Sequence, residues 1–225
     1  MPPILCDSSS LISLSMSCNA GAIGFLHSQS PRVRFAITPK VMGEIVERPI
    51  QIRRFEYSAI RLNQLVAEKK LAVLNPPALA KTASQLESIA NDCFTAGKMP
   101  LAILQAGELE ILAAAMLSGS SAVVVDEKTT RLLCENPGAL RERLSQEYEA
   151  GVGMDDALVG EFQSKTRGIS FIRSCELLCI AAKKGFFSKY GKLQNEAFHS
   201  ALYSLKAAGC SLTDGELREY EAIRV

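Results

Sequence analysis

Residues 122–125 read Ala-Val-Val-Val, apolar throughout with three β-branched side chains, and the next residue is Asp126. A strand of this kind offers no polar face to water, so it must be covered on both sides, as in a parallel sheet held between layers of helices. Shorter runs repeat the pattern. Residues 3–6 end in Asp7-Ser8-Ser9-Ser10, and Leu11, Ile12 and Leu14 follow at helical spacing. Residues 34–37 precede Thr38-Pro39, which suit the cap and the first position of a helix, and residues 71–74 stop at Asn75-Pro76-Pro77. Helical patterns fill the intervals at 52–69, 78–96, from Gly107 to the stop at Ser118-Gly119, and from Lys128 to Cys134. Residues 168–171 read as a last strand, with helices expected at 174–184, 193–208 and 213–223. The expected fold is therefore a three-layer α/β/α arrangement around a central, mainly parallel sheet of about four to five strands, plus extra C-terminal helices.

The 225 residues are 48% hydrophobic and 22% charged, enough to bury a core and to exclude a disordered chain. With 25 basic against 24 acidic side chains, the net charge is +1, so contact with nucleic acid must come from a local patch. Seven cysteines without a Cys-x-x-Cys pair do not make a disulfide framework. Two histidines, His27 and His199, leave no zinc knuckle and no credible Ser-His-Asp or Cys-His nucleophile. Walker A and Gly-x-Gly-x-x-Gly motifs are absent. Ser9 stands where a phosphoaspartyl transferase places its second acid. No apolar run approaches the roughly 20 residues that span a bilayer, and Asp7 interrupts the first one, so a cytoplasmic protein with no membrane partner is expected.

In a parallel sheet of this type, ligands bind beyond the carboxyl ends of the strands. Asp7 and Asp126 each follow an apolar strand directly, Glu44 lies in the helix after the second strand, and Glu108 opens the helix leading to the 122–125 strand. Two like charges about 4 Å apart repel by roughly 4 kcal/mol at an effective dielectric of about 20. Four converging carboxylates would thus call for a hard divalent cation, Mg²⁺ or Mn²⁺. Each acid also has an ordinary structural role open to it. Asp7 and Asp126 suit helix N-caps, Glu44 could pair with Arg48 one turn on, and Glu108 could favour a helix N-terminus, with Glu110 as its rival.

The order of these motifs resembles the PIN domain, a nuclease fold. Asp7-Ser8 after the first strand, an isolated Glu44, Gly107-Glu108-Leu109-Glu110 opening an Ala/Leu helix, and Val125-Asp126-Glu127 followed by Arg131 carry the likeness. Ala182-Lys183-Lys184-Gly185-Phe186 and residues 201–209 extend it to a prokaryotic branch described as predicted nucleic-acid-binding proteins. The resemblance implies that Asp7, Glu44, Glu108 and Asp126 are both catalytic residues and metal ligands, with Glu110 and Glu127 as possible substitutes. It implies cleavage of single-stranded RNA by a metal-activated water that leaves a 3′-hydroxyl and a 5′-phosphate, with single-stranded or structured RNA as the partner. It also implies an antitoxin protein as a candidate partner, and a homodimer. Two departures stand out: Glu127 occupies a place where a second Asp is common, and the segment after Asp126 is longer by some tens of residues.

Ser8 and Ser9 are placed to hold a phosphate or orient Asp7, and Lys128 and Arg131, beside Asp126, are the best-placed cations for nucleic acid. The expected organisation is a PIN-like domain over residues 1–187 with a helical insertion around 135–167, and a helical extension over 188–225. The competing expectation is a PIN-like module without turnover that binds RNA or a protein.

Overall fold

The computed structural model describes residues 2–30 and 32–225. In chain order, Ile4–Cys6 (β1) leads into helix Ser8–Met16 (α1), and Gly21–Gln29 (α2) precedes Phe35–Ile37 (β2). Pro39–Met42 (α3) continues as a π-helical turn, Gly43–Glu47, which ends before Pro49. Arg53–Ala67 (α4), Leu71–Val73 (β3) and Leu79–Ala90 (α5) follow, then Phe94–Ala96 (β4) and Met99–Pro100 (β5). Ala106–Ser118 (α6) precedes Ala122–Val124 (β6), Lys128–Glu135 (α7), Pro137–Glu147 (α8) and Val152–Met154 (β7). Asp156–Lys165 (α9), Ser170–Ile172 (β8), Ser174–Lys183 (α10), Gln194–Ala207 (α11) and Asp214–Glu221 (α12) complete the chain.

Five strands form one sheet in the order β3-β2-β1-β6-β8, and every pairing in it is parallel. Leu5, Ala36, Val123 and Val124 have no exposed surface, as the both-faces-covered argument requires. Helix α6 packs against β1 and β6 with α5 behind it, and α1, packed on α4, α10 and α11, belongs to the other layer. The chain thus has the three-layer α/β/α architecture expected from its sequence. From β1 the chain builds outward to β2 and β3, then returns to place β6 on the other side of β1. The β1/β6 boundary is a topological switch point, where an open parallel sheet leaves a crevice at its carboxyl edge.

Local chemistry explains most boundaries. Thr38 Oγ1 accepts a hydrogen bond from the Val41 amide and Pro39 takes the first helical position of α3. Helix α6 stops at Gly119, whose φ of 64° is the left-handed conformation that a residue with a Cβ resists. The expected helix over 78–96 is shorter: α5 ends at Ala90, and Phe94–Ala96 is a strand. Asn91 ties off the helix by accepting from the Leu104 amide and donating to the Leu104 carbonyl. Gly97, at φ 62°, then turns β4 into β5.

The insertion differs from expectation in the same way. Residues 137–147 and 156–165 are helical, but Val152–Met154 pairs antiparallel with β4, joining β5, β4 and β7 in a second, three-stranded sheet. Leu140, Leu144, Val159 and Phe162 are buried, so the segment packs into the body of the molecule and is not a free appendage. At the other end, buried Arg173 forms ion pairs with Glu176 and with Glu216 of α12, tying the C-terminal helices to the carboxyl end of β8. Among the described residues no single helix is long and apolar enough to cross a membrane, and the apolar pair α1–α2 is bent by 106°.

Candidate active site

At the carboxyl ends of β1 and β6 lies a cavity of about 370 Å³ lined by Asp7, Glu44, Glu108 and Glu127. Asp7 is 3% exposed and caps α1, with Oδ2 accepting from the Ser9 amide at 3.1 Å and the Ser9 hydroxyl at 2.7 Å. Its other oxygen, Oδ1, is buried and has no partner among the described residues. A buried carboxylate oxygen without a donor is costly. Burial pushes the Asp7 carboxyl above its ordinary range; the Ser8 and Ser9 hydrogen bonds oppose this, and the charge of Glu44 adds to it.

Glu44 sits in the π-helical turn, a distortion often found where a side chain must be aimed. Its carboxylate lies over the first turn of α6. A Cβ on Gly107 would stand 2.8 Å from Glu44 Oε1 and 2.9 Å from Oε2, so glycine here leaves room for the Glu44 carboxylate in this position. No ion pair joins Glu44 to Arg48 among the described residues.

Glu108 closes a capping box, accepting from the Gln105 amide at 2.7 Å and from the Thr130 hydroxyl at 2.8 Å. Burial pushes its carboxyl up to about 7, assisted by the charges of Glu127 and Asp7 and opposed by those two hydrogen bonds. Its rival Glu110 is outside the cavity lining and accepts from the Lys40 amide at 2.8 Å, which ties α6 to the start of α3.

Asp126 goes elsewhere. Its Oδ1 accepts from the Ser174 amide and its Oδ2 from the Ser174 hydroxyl, both at 2.7 Å, and it does not line the cavity. The strand register explains this. Cys6 pairs with Val124, so Asp7 falls level with Val125, and alternation along the strand turns Asp126 to the opposite face. Val124 pairs in turn with Ile172, which brings Asp126 level with Ser174. Glu127 returns to the Asp7 side, where it lines the cavity and caps α7 through the Thr130 amide and Thr129 hydroxyl.

Ser8 lines the cavity. Ser9 links the two strands, its hydroxyl donating to Asp7 and accepting from the Asp126 amide at 3.1 Å. Lys128 and Arg131 do not line the cavity; Thr129 takes that place on α7. The cavity's cation is Arg143, from the insertion, accompanied by Glu147 and Tyr148. Nothing in the local sequence marks these residues, since only the folding of α8 over the sheet edge brings them there.

The donor set is hard oxygen, suited to Mg²⁺ or Mn²⁺, and the unpartnered Asp7 oxygen fits such an ion. Among the described residues no three His, Cys, Asp or Glu side chains already form a metal-holding group. Mutual repulsion keeps uncompensated carboxylates apart, and Mg²⁺ commonly reaches part of its ligand set through retained waters. Comparison of the chain with protein-family models, curated proteins and solved structures gave no match.

Proposed function

We propose that this chain is a metal-dependent endoribonuclease of the PIN type, cutting single-stranded RNA with Asp7, Glu44, Glu108 and Glu127 holding Mg²⁺ or Mn²⁺. The observation that carries this reading is the unpartnered, buried Asp7 oxygen in a carboxylate-lined cavity at the switch point of a parallel sheet. A divalent cation there would supply Lewis acidity and an activated water for attack on phosphorus in line with the leaving oxygen. The P–O3′ bond breaks, its electron pair stays on O3′, and O3′ takes up a proton.

The chain's own residues do the positioning. Ser9 fixes the Asp7 carboxylate through Oδ2 and leaves Oδ1 free to bind. Gln105 and Thr130 hold Glu108, while Thr129 and Thr130 hold Glu127. Glu108, with a carboxyl near 7, can carry a proton in the metal-free site and release it as a cation arrives. A reducing, cytoplasmic setting agrees with seven cysteines that are all unpaired.

The test is cleavage of a labelled single-stranded RNA with Mn²⁺, Mg²⁺ or EDTA. Cutting that requires metal is expected, together with a rise in melting temperature on adding Mn²⁺. Neither cutting nor a rise would leave the PIN-like binding module as the reading.

Gly107→Ala provides an internal check. A Cβ there displaces the Glu44 carboxylate, the far end of a flexible side chain, and alanine in a helix gains about 0.5–1 kcal/mol over glycine. The variant is expected to melt at or above the wild-type temperature, yet to lose about tenfold in cutting and much of its Mn²⁺-induced rise. Wild-type cleavage in this variant would remove Glu44 from the site.

A further inference from the structure

Arg143 lies on α8, between the buried side chains of Leu140 and Leu144. Its Nη1 is fully shielded from solvent, and the side chain makes no hydrogen bond or ion pair among the described residues. Leaving a charged donor buried and unmatched is costly, and acceptors are close at hand. Glu147 is one helical turn along, the usual partner for such a pair, and both side chains line the cavity with Glu127. None of these carboxylates comes within ion-pair distance of the guanidinium. Among the described residues, the only cation lining a cavity of carboxylates is thus left without an internal partner.

We propose that Arg143 is the phosphate receptor of this cavity, contributed by the insertion, and that it holds an internal phosphodiester of a single strand beside the carboxylate floor. Nη1 faces the protein, and the remaining Nε and Nη2 edge of the guanidinium is a planar fork that matches two oxygens of a phosphate. A carboxylate ligand would fit the same fork, but a phosphodiester can also bridge to a divalent cation, which here would lie among Asp7, Glu44, Glu108 and Glu127. The assignment rests on the nuclease reading in this one respect: without a cation on the floor, the net negative charge of the lining opposes any anion. It also gives the added segment after Asp126 a use, because α8 brings to the site a cation that α7 does not.

The experiment measures binding apart from cutting. Fluorescence anisotropy of a labelled eight-residue oligouridylate is followed with Ca²⁺ in place of Mn²⁺, and the strand is checked on a gel for integrity. Arg143→Met keeps the packed stem and removes the charge, Arg143→Lys keeps the charge without the fork, and Arg141→Ala removes an exposed neighbour on the same helix. Arg143→Met is expected to bind at least tenfold more weakly and to lower the slope of log affinity against log salt by about 0.7, the increment for one phosphate contact on a single strand. Arg143→Lys should recover part of the affinity, and Arg141→Ala should stay within about twofold, since an exposed charge acts only at long range.

Wild-type affinity and slope in Arg143→Met, while Mn²⁺-dependent cutting persists, would overturn the role of Arg143 and leave the nuclease reading in place. Binding that depends on Arg143 without any cutting in Mn²⁺ would do the reverse. A wild type that does not bind the strand overturns the assignment. So does displacement of the strand by equimolar inorganic phosphate, which would assign the site to free phosphate.

Discussion

Asp7→Asn is expected to lower RNA cleavage by about a thousandfold, the equivalent of about 4 kcal/mol in the barrier, while raising the melting temperature of the metal-free protein at pH 8. The two effects have one cause. Asparagine keeps an oxygen to accept from the Ser9 amide and hydroxyl, so the cap on α1 survives. What disappears is a buried carboxyl group, 3% exposed, whose second oxygen has no partner among the described residues. In the metal-free fold, burial raises the Asp7 carboxyl and holds Glu108 near 7, against 4.5 for an ordinary glutamate. Both groups therefore bind their protons more tightly folded than unfolded. The Glu108 contribution to stability is complete below the ordinary carboxylate range and is lost as pH rises from 4.5 through about 7, and the Asp7 contribution is lost in the same direction. At pH 8 Glu108 is charged, and removing the buried carboxyl of Asp7 beside it is expected to return about 1 kcal/mol, or about 2–4 °C in a chain of this size. Mn²⁺ should restore the same stability to the wild type and little to the variant. Melting curves at pH 5 and pH 8, with and without Mn²⁺, read all of this. An Asp7→Asn protein that melts lower at pH 8 and still cuts would show the carboxylate to be only a helix cap.

Much of this arrangement could be read from local pattern. The valine run before Asp126 identifies a strand covered on both faces, and β6 is the inner neighbour of β1. Thr38-Pro39 marks the start of α3 because a cap and a fixed φ need only the residues beside them. Phe94–Ala96 escapes the same reading: its partner Val152–Met154 is far away in sequence, and a three-residue strand after a helical pattern carries no period of its own. Arg143 was hidden for a related reason. Its place in the cavity depends on how α8 folds back across the sheet edge, which no spacing within α8 records. Asp126 shows a third kind of limit. Its position after a strand suggested the site, but the face it turns to depends on the register of β6 against β1. A shift of one residue exchanges the places of Asp126 and Glu127.

The register of β6 against β1 also sets the second large effect. Asp126→Ala is expected to cost about 3 kcal/mol, because it removes two short hydrogen bonds to a buried carboxylate and strands the Ser174 amide at the start of α10. For a chain of this length the melting temperature should fall by about 10 °C. The carboxylate also faces the positive end of α10, so the charge as well as the hydrogen bonds is lost. Asp126→Asn should be far milder, since its oxygen can still accept from the Ser174 amide while its nitrogen donates to the Ser174 hydroxyl oxygen. In the same assay it should keep most of its cutting. Glu127→Gln should behave in the opposite way, holding its melting temperature, because an amide oxygen still caps α7, and losing at least tenfold in cutting. The pair of variants therefore separates fold from chemistry at adjacent positions. If Asp126→Asn abolished cutting at an unchanged melting temperature while Glu127→Gln cut normally, the face assignment derived from Cys6 against Val124 would be wrong. The fourth carboxylate of the site would then be Asp126.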